Sequence, residues 1–201
     1  VRAEYAGLVT MVDHWFGQLL AAIDRVGLRQ RTVVMFLSDH GTNFADNAEG
    51  IMGKPAEYMY PGTMSIPMIL RHPDGHGAGH VCDELVTTTD VPATVLAAAG
   101  VTPMGPLHGH SLLPLAAAGK GPGREYVTCR YGNSLWYRDD HTWCFGKIGG
   151  ADDGLELLEP RVFDLEADEE CAVNIAAGAD SRIELAVQRL REDAGGPIRA
   201  Y

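Results

Sequence analysis

The feature that most limits what this chain can become is the apolar run Val33-Val34-Met35-Phe36-Leu37, which stops abruptly at Ser38-Asp39-His40-Gly41. A short continuous apolar run bounded by polar residues reads as a buried strand. Gly41 follows where the backbone must turn. In open α/β sheets, ligands bind in the crevice beyond the carboxyl ends of such strands. Asp39 and His40 are therefore the first candidates for chemistry. The alternative has Asp39 capping the next turn and His40 as a satisfied polar residue. Polar groups placed directly after a buried run are costly unless used, which favours the metal-ligand reading.

Around this strand the pattern alternates helix and strand. Apolar residues at Tyr5, Leu8, Val9, Val12, Trp15, Phe16, Leu19, Leu20 and Ile23 recur at helical period, so residues 4–26 read as an amphipathic helix packed on a sheet. Asp13, His14 and Asp24 fall on its polar side in solvent or capping roles. After the strand, residues 42–50 read as a loop and 55–63 as a helical turn or lid, and 65–70 form a second strand opened by Pro67. Residues 87–99 predict a helix capped by Thr89 or Asp90, and Leu112 to Ala118 a short apolar one. Residues 125–130, 135–137 and 141–148 then alternate as antiparallel strands, 162–165 add a last short strand, and 181–191 form a terminal helix. The expected division is 1–123, part of an α/β domain, and 124–201, a small α+β unit. Tyr131, Trp136 and Trp143 are expected in the core, with a stacking surface as the alternative.

Composition bounds the partners. The chain has 201 residues, 46% hydrophobic, and a formal net charge of -11. That balance disfavours nucleic acid and anionic membrane surfaces. An anionic substrate stays open, because a metal and one lysine reverse the local potential. No charged-then-apolar leader and no long membrane-spanning run is apparent, and the four cysteines lack metal-like spacing. Free thiols in a cytoplasmic location are the expectation. The chain begins with Val1 almost directly at a helix, so a processed or longer protein, and with it export, stays open.

Lys54 lies between a glycine and a proline in a stretch nearly free of basic residues. A lone lysine near a divalent ion suits a sulfate or phosphate ester, whose non-bridging oxygens it neutralises. A solvated surface lysine is the alternative. Glu49 and Asn47 are weaker candidates nearby. His72, His76 and His80 are spaced four apart, as zinc ligands on a helix would be, but the intervening Gly and Pro favour a surface loop. No Ser, Thr or Cys sits in a recognisable nucleophile setting. Asp39 and His40 alone underfill a metal site, so another segment must contribute.

In family order, the segments YAGLVTMVDHWFGQLLAAID, TVVMFLSDHG, GIMGK, SIPMILRHPDG, TTTDVPATVLAAAG, HGHSLLPL and RVFDLEADEECAVNIA resemble the C-terminal portion of a sulfatase of the alkaline-phosphatase-like superfamily. The resemblance covers nearly the whole chain. It implies a partial mixed sheet flanked by helices, followed by a small antiparallel sheet with a terminal helix. It implies Asp39 and His40 as ligands of a divalent cation, calcium first, with manganese or magnesium as alternatives. Lys54 would contact the ester oxygens. A histidine common shortly before that lysine is matched here by Glu49. The family's formylglycine nucleophile, made from a Cys/Ser-x-Pro-x-Arg element, and a further acidic ligand pair lie upstream and are absent from this sequence.

The implied activity is hydrolysis of a small-molecule or carbohydrate sulfate ester to alcohol and sulfate, by attack of a hydrated formylglycine oxygen on sulfur. The 201 residues alone are expected to be inactive. Phosphodiester or phosphonate monoester hydrolysis in the same superfamily is the near alternative, and a non-catalytic binding relic the distant one. A truncated sheet would expose an apolar face, so self-association or association with the missing N-terminal half is expected.

Overall fold

The computed structural model describes residues 1–119, 121, 123–150, 155–195 and 198. In chain order the elements are α1 (Arg2–Arg25), a 3₁₀ turn (Arg29–Arg31), β1 (Val34–Leu37), β2 (Asn43–Phe44), β3 (Met52–Gly53), α2 (Pro61–Met64) and β4 (Met68–Arg71). Then come α3 (Asp90–Ala98), α4 (Leu113–Ala118), β5 (Tyr126–Tyr131), β6 (Ser134–Asp139), β7 (Thr142–Gly149), β8 (Glu156–Asp164) and α5 (Asp180–Ala194). This is an α/β fold with antiparallel sheets, helices and a C-terminal sheet carrying a terminal helix. The chain groups into two units, one formed by Val1–Leu37 with Met68–Pro122, the other by Ser38–Pro67 with Gly123–Tyr201.

In the first unit, β1 pairs antiparallel with β4, from Val34 opposite Arg71 to Leu37 opposite Met68. The expected burial of β1 is not met: all four of its residues are only partly buried. Among the described residues β4 is the strand paired with it, so its other edge lacks a neighbour. The helix α1 also departs from expectation, since none of its residues is fully buried. Phe16 touches Phe36 of β1, with ring centroids 4.8 Å apart. Tyr5, Leu8, Val12, Trp15 and Leu19 are exposed. By length and composition alone, α1 is long and apolar enough to cross a membrane. Its mid-helix Asp13 would cost about 2.5–3.5 kcal/mol at a bilayer centre, and the Phe16–Phe36 contact identifies a sheet-packing side instead. Asp24, at the last turn, pairs with Arg29 at 2.8 Å and Arg71 at 3.7 Å.

The helix α3 is anchored by Asp90, which is fully buried. Its carboxylate accepts hydrogen bonds from the Thr87 and His110 amides, each at 2.8 Å. The chain passes so close here that a Cβ on Gly109 would lie 1.8 Å from the Thr89 carbonyl oxygen. Only glycine fits, which accounts for the glycine between His108 and His110.

In the second unit, β5-β6-β7-β8 form an antiparallel meander. Successive side chains of β7 point to opposite faces, and both faces are covered. Cys144 pairs across with Val162 of β8 and joins Leu135, Ala186 and Leu190 beneath α5. Trp143 and Phe145 point the other way, where the buried Tyr60 ring sits 4.9 Å from Phe145 and 5.6 Å from Phe163. The Trp143 indole donates to the Met59 carbonyl at 2.7 Å. Trp136 and Trp143 are thus core residues as expected, whereas Tyr131 is 64% exposed. Tyr131 ends β5 opposite Ser134, at the tight turn through Gly132. The last strand runs from Glu156 to Asp164, longer than the sequence reading of 162–165.

Candidate active site

Two residues after β1 ends, the chain carries Asp39 and His40 into a segment shaped by close backbone contacts. The Gly41 amide donates to the Thr63 carbonyl at 2.8 Å, and a Cβ on Gly41 would lie 2.1 Å from the Gly62 oxygen. A Cβ on Gly62 would in turn meet the Asn43 side chain at 2.8 Å. Asn43 is buried and donates from Nδ2 to the Thr63 hydroxyl at 2.8 Å. Glycine is therefore required at position 41 and closely fitted at 62, and the backbone of residues 41–43 is seated on α2.

From there, β2 and β3 pair as a minimal antiparallel ladder, Asn43 opposite Gly53 and Phe44 opposite Met52. The loop between them closes on itself. Asn47 accepts from the Ile51 amide at 2.9 Å and donates to the Ile51 carbonyl at 3.1 Å. This hairpin brings Lys54 back to His40, fourteen residues earlier, so that the Lys54 ammonium contacts Nε2 of the imidazole.

The orientation of His40 is set by its backbone. Nδ1 lies 2.9 Å from the Gly41 carbonyl oxygen, which can only accept, so Nδ1 carries the hydrogen and Nε2 presents its lone pair outward. The Ser38 hydroxyl donates to the His40 carbonyl at 2.7 Å. The Asp39 carboxylate is 84% exposed and lies 3.3 Å from His40 Nε2. It accepts the His40 amide at 3.0 Å, and that bond leads the effects holding its carboxyl below the ordinary range. The 3.3 Å gap matches the ligand-to-ligand edge of an octahedral ion with bonds of about 2.1–2.4 Å. Asp39 and His40 therefore fit a divalent cation, as a hard oxygen and an imidazole nitrogen on one edge. Asp39, His40 and Lys54 converge.

Glu49 is oriented differently. Its carboxylate accepts from Arg161 of β8 at 2.9 and 3.2 Å, and from the Tyr60 hydroxyl at 2.7 Å. The Arg161 hydrogen bonds lead the effects that hold Glu49 below its ordinary value, while burial pushes the Tyr60 phenol up. The Arg161 guanidinium also lies over Tyr58, 5.5 Å from the ring centroid. The hairpin loop is thereby fastened to the four-stranded sheet. Sequence reading missed Arg161 and Tyr60, which lie 112 and 11 residues from Glu49. No local signal in the sequence linked either of them to Glu49.

Three of the thiols are held away from the thiolate form. Burial pushes Cys144 and Cys171 up to about 12, and Cys129 upward as well. A His/Asp cluster capable of coordinating a metal ion does occur in the first unit, at His72, Asp74 and His76, in the glycine-rich loop after β4.

With this geometry in hand, the relatives can be compared. The sulfatase family model matches residues 1–101. Arylsulfatase K of Danio rerio is 31% identical over 186 residues, covering 88% of this chain and 34% of that protein. Among solved structures, a phosphonate monoester hydrolase from Silicibacter pomeroyi aligns with a TM-score of 0.79 and 23% identity, covering 98% of this chain and 41% of that one. A protein solved in complex with its substrate D-glucosamine-2-N,6-O-disulfate aligns with a TM-score of 0.73 and 22% identity, covering 92% of this chain and 39% of that one. The chain spans about a third of the length of the curated relatives it matches.

Proposed function

The chain belongs to the sulfatase family, and from that premise we propose that it forms part of a metal-dependent sulfuric ester hydrolase acting on carbohydrate sulfate esters. The observation that carries the reading is the convergence of Asp39, His40 and Lys54 where the β2–β3 hairpin closes. The likeness to arylsulfatase K and to a fold solved with a disulfated glucosamine supports the substrate class.

In this reading Asp39 and His40 hold the cation, calcium first and magnesium or manganese as alternatives, through the carboxylate and Nε2. A bound divalent ion would supply Lewis-acid stabilisation of charge on the ester oxygens. Asp39 stays ionised because the His40 amide hydrogen-bonds it. Gly41 holds the Nδ1 hydrogen of His40, so Nε2 carries the lone pair, which Lys54 contacts here and which an ion would take over. Lys54 donates to a non-bridging ester oxygen and neutralises charge as the S–O bond to the alcohol breaks. Glu49 acts as a positioning residue, fixing the hairpin that delivers Lys54. The nucleophile, a formylglycine, and the further acidic ligands come from upstream sequence of the complete enzyme. Water supplies the oxygen of the released sulfate, and the alcohol leaves with a proton.

Phosphonate or phosphate ester hydrolysis is the second reading, favoured by the 0.79 TM-score to a phosphonate monoester hydrolase. The same three side chains would serve a tetrahedral phosphoryl group. The deciding experiment expresses the full-length protein and compares kcat/KM for a sulfated glucosamine with that for an aryl phosphonate monoester. Preference for the sulfate supports the proposal. Preference for the phosphonate favours the second reading, and no turnover of either by a metal-loaded, modified enzyme leaves a binding relic.

A further inference from the structure

The loop that follows β4 brings together three ligating groups that the ester-hydrolysing site does not use. His72-Pro73-Asp74-Gly75 forms a tight turn in which the Gly75 amide donates to the His72 carbonyl at 3.1 Å. Proline in the second position and glycine in the fourth suit such a turn. Two further turns follow at once, Ala78 to Gly75 at 3.2 Å and His80 to Gly77 at 3.0 Å, with Gly75, Gly77 and Gly79 all at positive φ. The result gathers residues two apart in sequence, whereas a helix would gather residues four apart. His72, Asp74 and His76 thus converge, and His80 is not part of the cluster.

The cluster is anchored from both sides. His72 follows directly on β4 and its side chain is only 17% exposed, so its imidazole is the inner wall. At the other end, a Cβ on Gly77 would lie 2.7 Å from the Ala116 carbonyl of α4, so the loop rests backbone to backbone against that helix. The His72 and His76 rings stack with centroids 4.7 Å apart and planes 13° apart.

We propose that His72, Asp74 and His76 form a zinc site, separate in its residues from the Asp39–His40 pair, with water completing a four-coordinate ion. The ligating atoms all lie within 4.8 Å of one another, and Asp74 Oδ2 is 3.7 Å from His72 Nδ1. Tetrahedral zinc with bonds of about 2.0–2.1 Å has ligand-to-ligand edges of about 3.4 Å. Closure by at most about 1.4 Å at any edge is therefore needed, and it falls on the exposed Asp74 and His76 side chains. The tautomer is already suitable. The Asp74 amide donates to His72 Nδ1 at 3.2 Å, so that nitrogen bears a lone pair beside the Asp74 carboxylate. An ion replaces the amide hydrogen at that lone pair and leaves the amide to water. Two imidazoles and one carboxylate select zinc over calcium or magnesium, which prefer an all-oxygen shell. The turn chemistry, with one ligand at each alternate residue, makes this a local site that needs no distant segment.

Zinc chloride titrated calorimetrically into the metal-stripped 201-residue chain tests it, in parallel with the Asp39→Asn/His40→Asn double variant. The expected result is saturable uptake of zinc that persists in the double variant. Adding His76→Ala should then lower affinity about tenfold or more, with Asp74→Asn doing likewise. His76 and Asp74 are exposed, so circular dichroism should show both variants folded as the parent. Visible ligand-field absorption of bound Co²⁺ gives a second readout and should vanish with His76→Ala. Unchanged zinc affinity in both single variants would overturn the proposal. So would the absence of saturable uptake in the Asp39→Asn/His40→Asn chain, provided it stays folded. If that chain unfolds, His76→Ala in the otherwise native chain must remove one zinc equivalent, and failure to do so overturns it equally.

Discussion

Asn43 and Gly53 face each other across a two-residue antiparallel ladder, and this pairing is what sets His40 against Lys54. The candidate site therefore depends on backbone contacts at some distance from its charges. The tightest is at Gly41, where a Cβ would lie 2.1 Å from the Gly62 oxygen. Gly41→Ala should force residues 40–43 off α2 and break the Gly41–Thr63 hydrogen bond, destabilising the second unit by about 2–4 kcal/mol. Gly7→Ala is the matched control, since it sits inside α1 with open space around its Cβ position. It should be neutral or stabilise by about 0.5–1 kcal/mol. Urea unfolding of both variants measures the contrast, and similar midpoints would refute the account of Gly41.

The Glu49–Arg161 pair makes a separate prediction, on stability and its pH dependence. Arg161 gives Glu49 two hydrogen bonds and covers Tyr58, so Arg161→Ala should cost about 1–3 kcal/mol. Arg161→Lys should recover only part of it, because a lysine cannot offer two parallel donors. Glu49 is held below its ordinary value of 4.5. The stabilisation from that shift is present above pH 4.5 and is lost as pH falls through the lower folded value. Glu49→Gln should therefore weaken the chain at neutral pH and flatten the decline on acidification. Equal slopes of unfolding free energy against pH for Glu49→Gln and the parent would remove the pair as a stabilising clamp.

Much of this site was legible in the sequence because its signals are local. An apolar run ending in Asp39-His40-Gly41 marks a strand terminus wherever it occurs, and Lys54 stood out against an acidic chain. What the sequence did not convey was set by partners remote along it. Arg161 reaches Glu49 from β8, and Tyr60 is buried against Phe145 and Phe163 of the C-terminal sheet. The expected burial of β1 failed for a related reason: its pattern describes a strand covered on both faces, and among the described residues β4 is its paired neighbour. The histidine stretch reads as a surface loop because Pro73 and the glycines disfavour a helix, but the sequence did not convey that its turns would gather His72, Asp74 and His76.

Lys54 should separate binding from chemistry in the complete enzyme. Its ammonium is placed to neutralise ester oxygens, where charge grows as the bond to the alcohol breaks. Lys54→Ala should lower kcat/KM about 10²–10³-fold, by analogy with the loss of a preorganised donor. Lys54→Arg keeps the charge and should retain more activity. Metal content measured on the same preparations should be unchanged in Lys54→Ala and reduced in Asp39→Asn. A Lys54→Ala enzyme with native kcat/KM would return this residue to the status of a surface lysine.

The helix α1 supplies the last prediction. Its apolar residues divide into two stripes. Phe16, Leu20 and Ile23 are partly buried, and Phe16 meets Phe36 of β1. Tyr5, Leu8, Val12, Trp15 and Leu19 follow a three-four spacing and face outward, exposed. A helix apolar on two sides belongs in the interior of a larger assembly, and a stripe with this spacing is suited to another helix. The isolated 201-residue chain should therefore sediment as a self-associated species at micromolar concentration and bind a hydrophobic dye. Leu8→Glu/Trp15→Glu should shift it toward monomer and reduce dye binding, with the Phe16 contact left intact. It should also show no sulfatase turnover, because the formylglycine element and the further acidic ligands are not among its residues. A native chain that sediments as a monomer with no dye uptake would show that the outer stripe needs no cover. Robust sulfate ester hydrolysis by that chain would show that Asp39, His40 and Lys54 need no outside nucleophile, which the geometry of the site gives no means to explain.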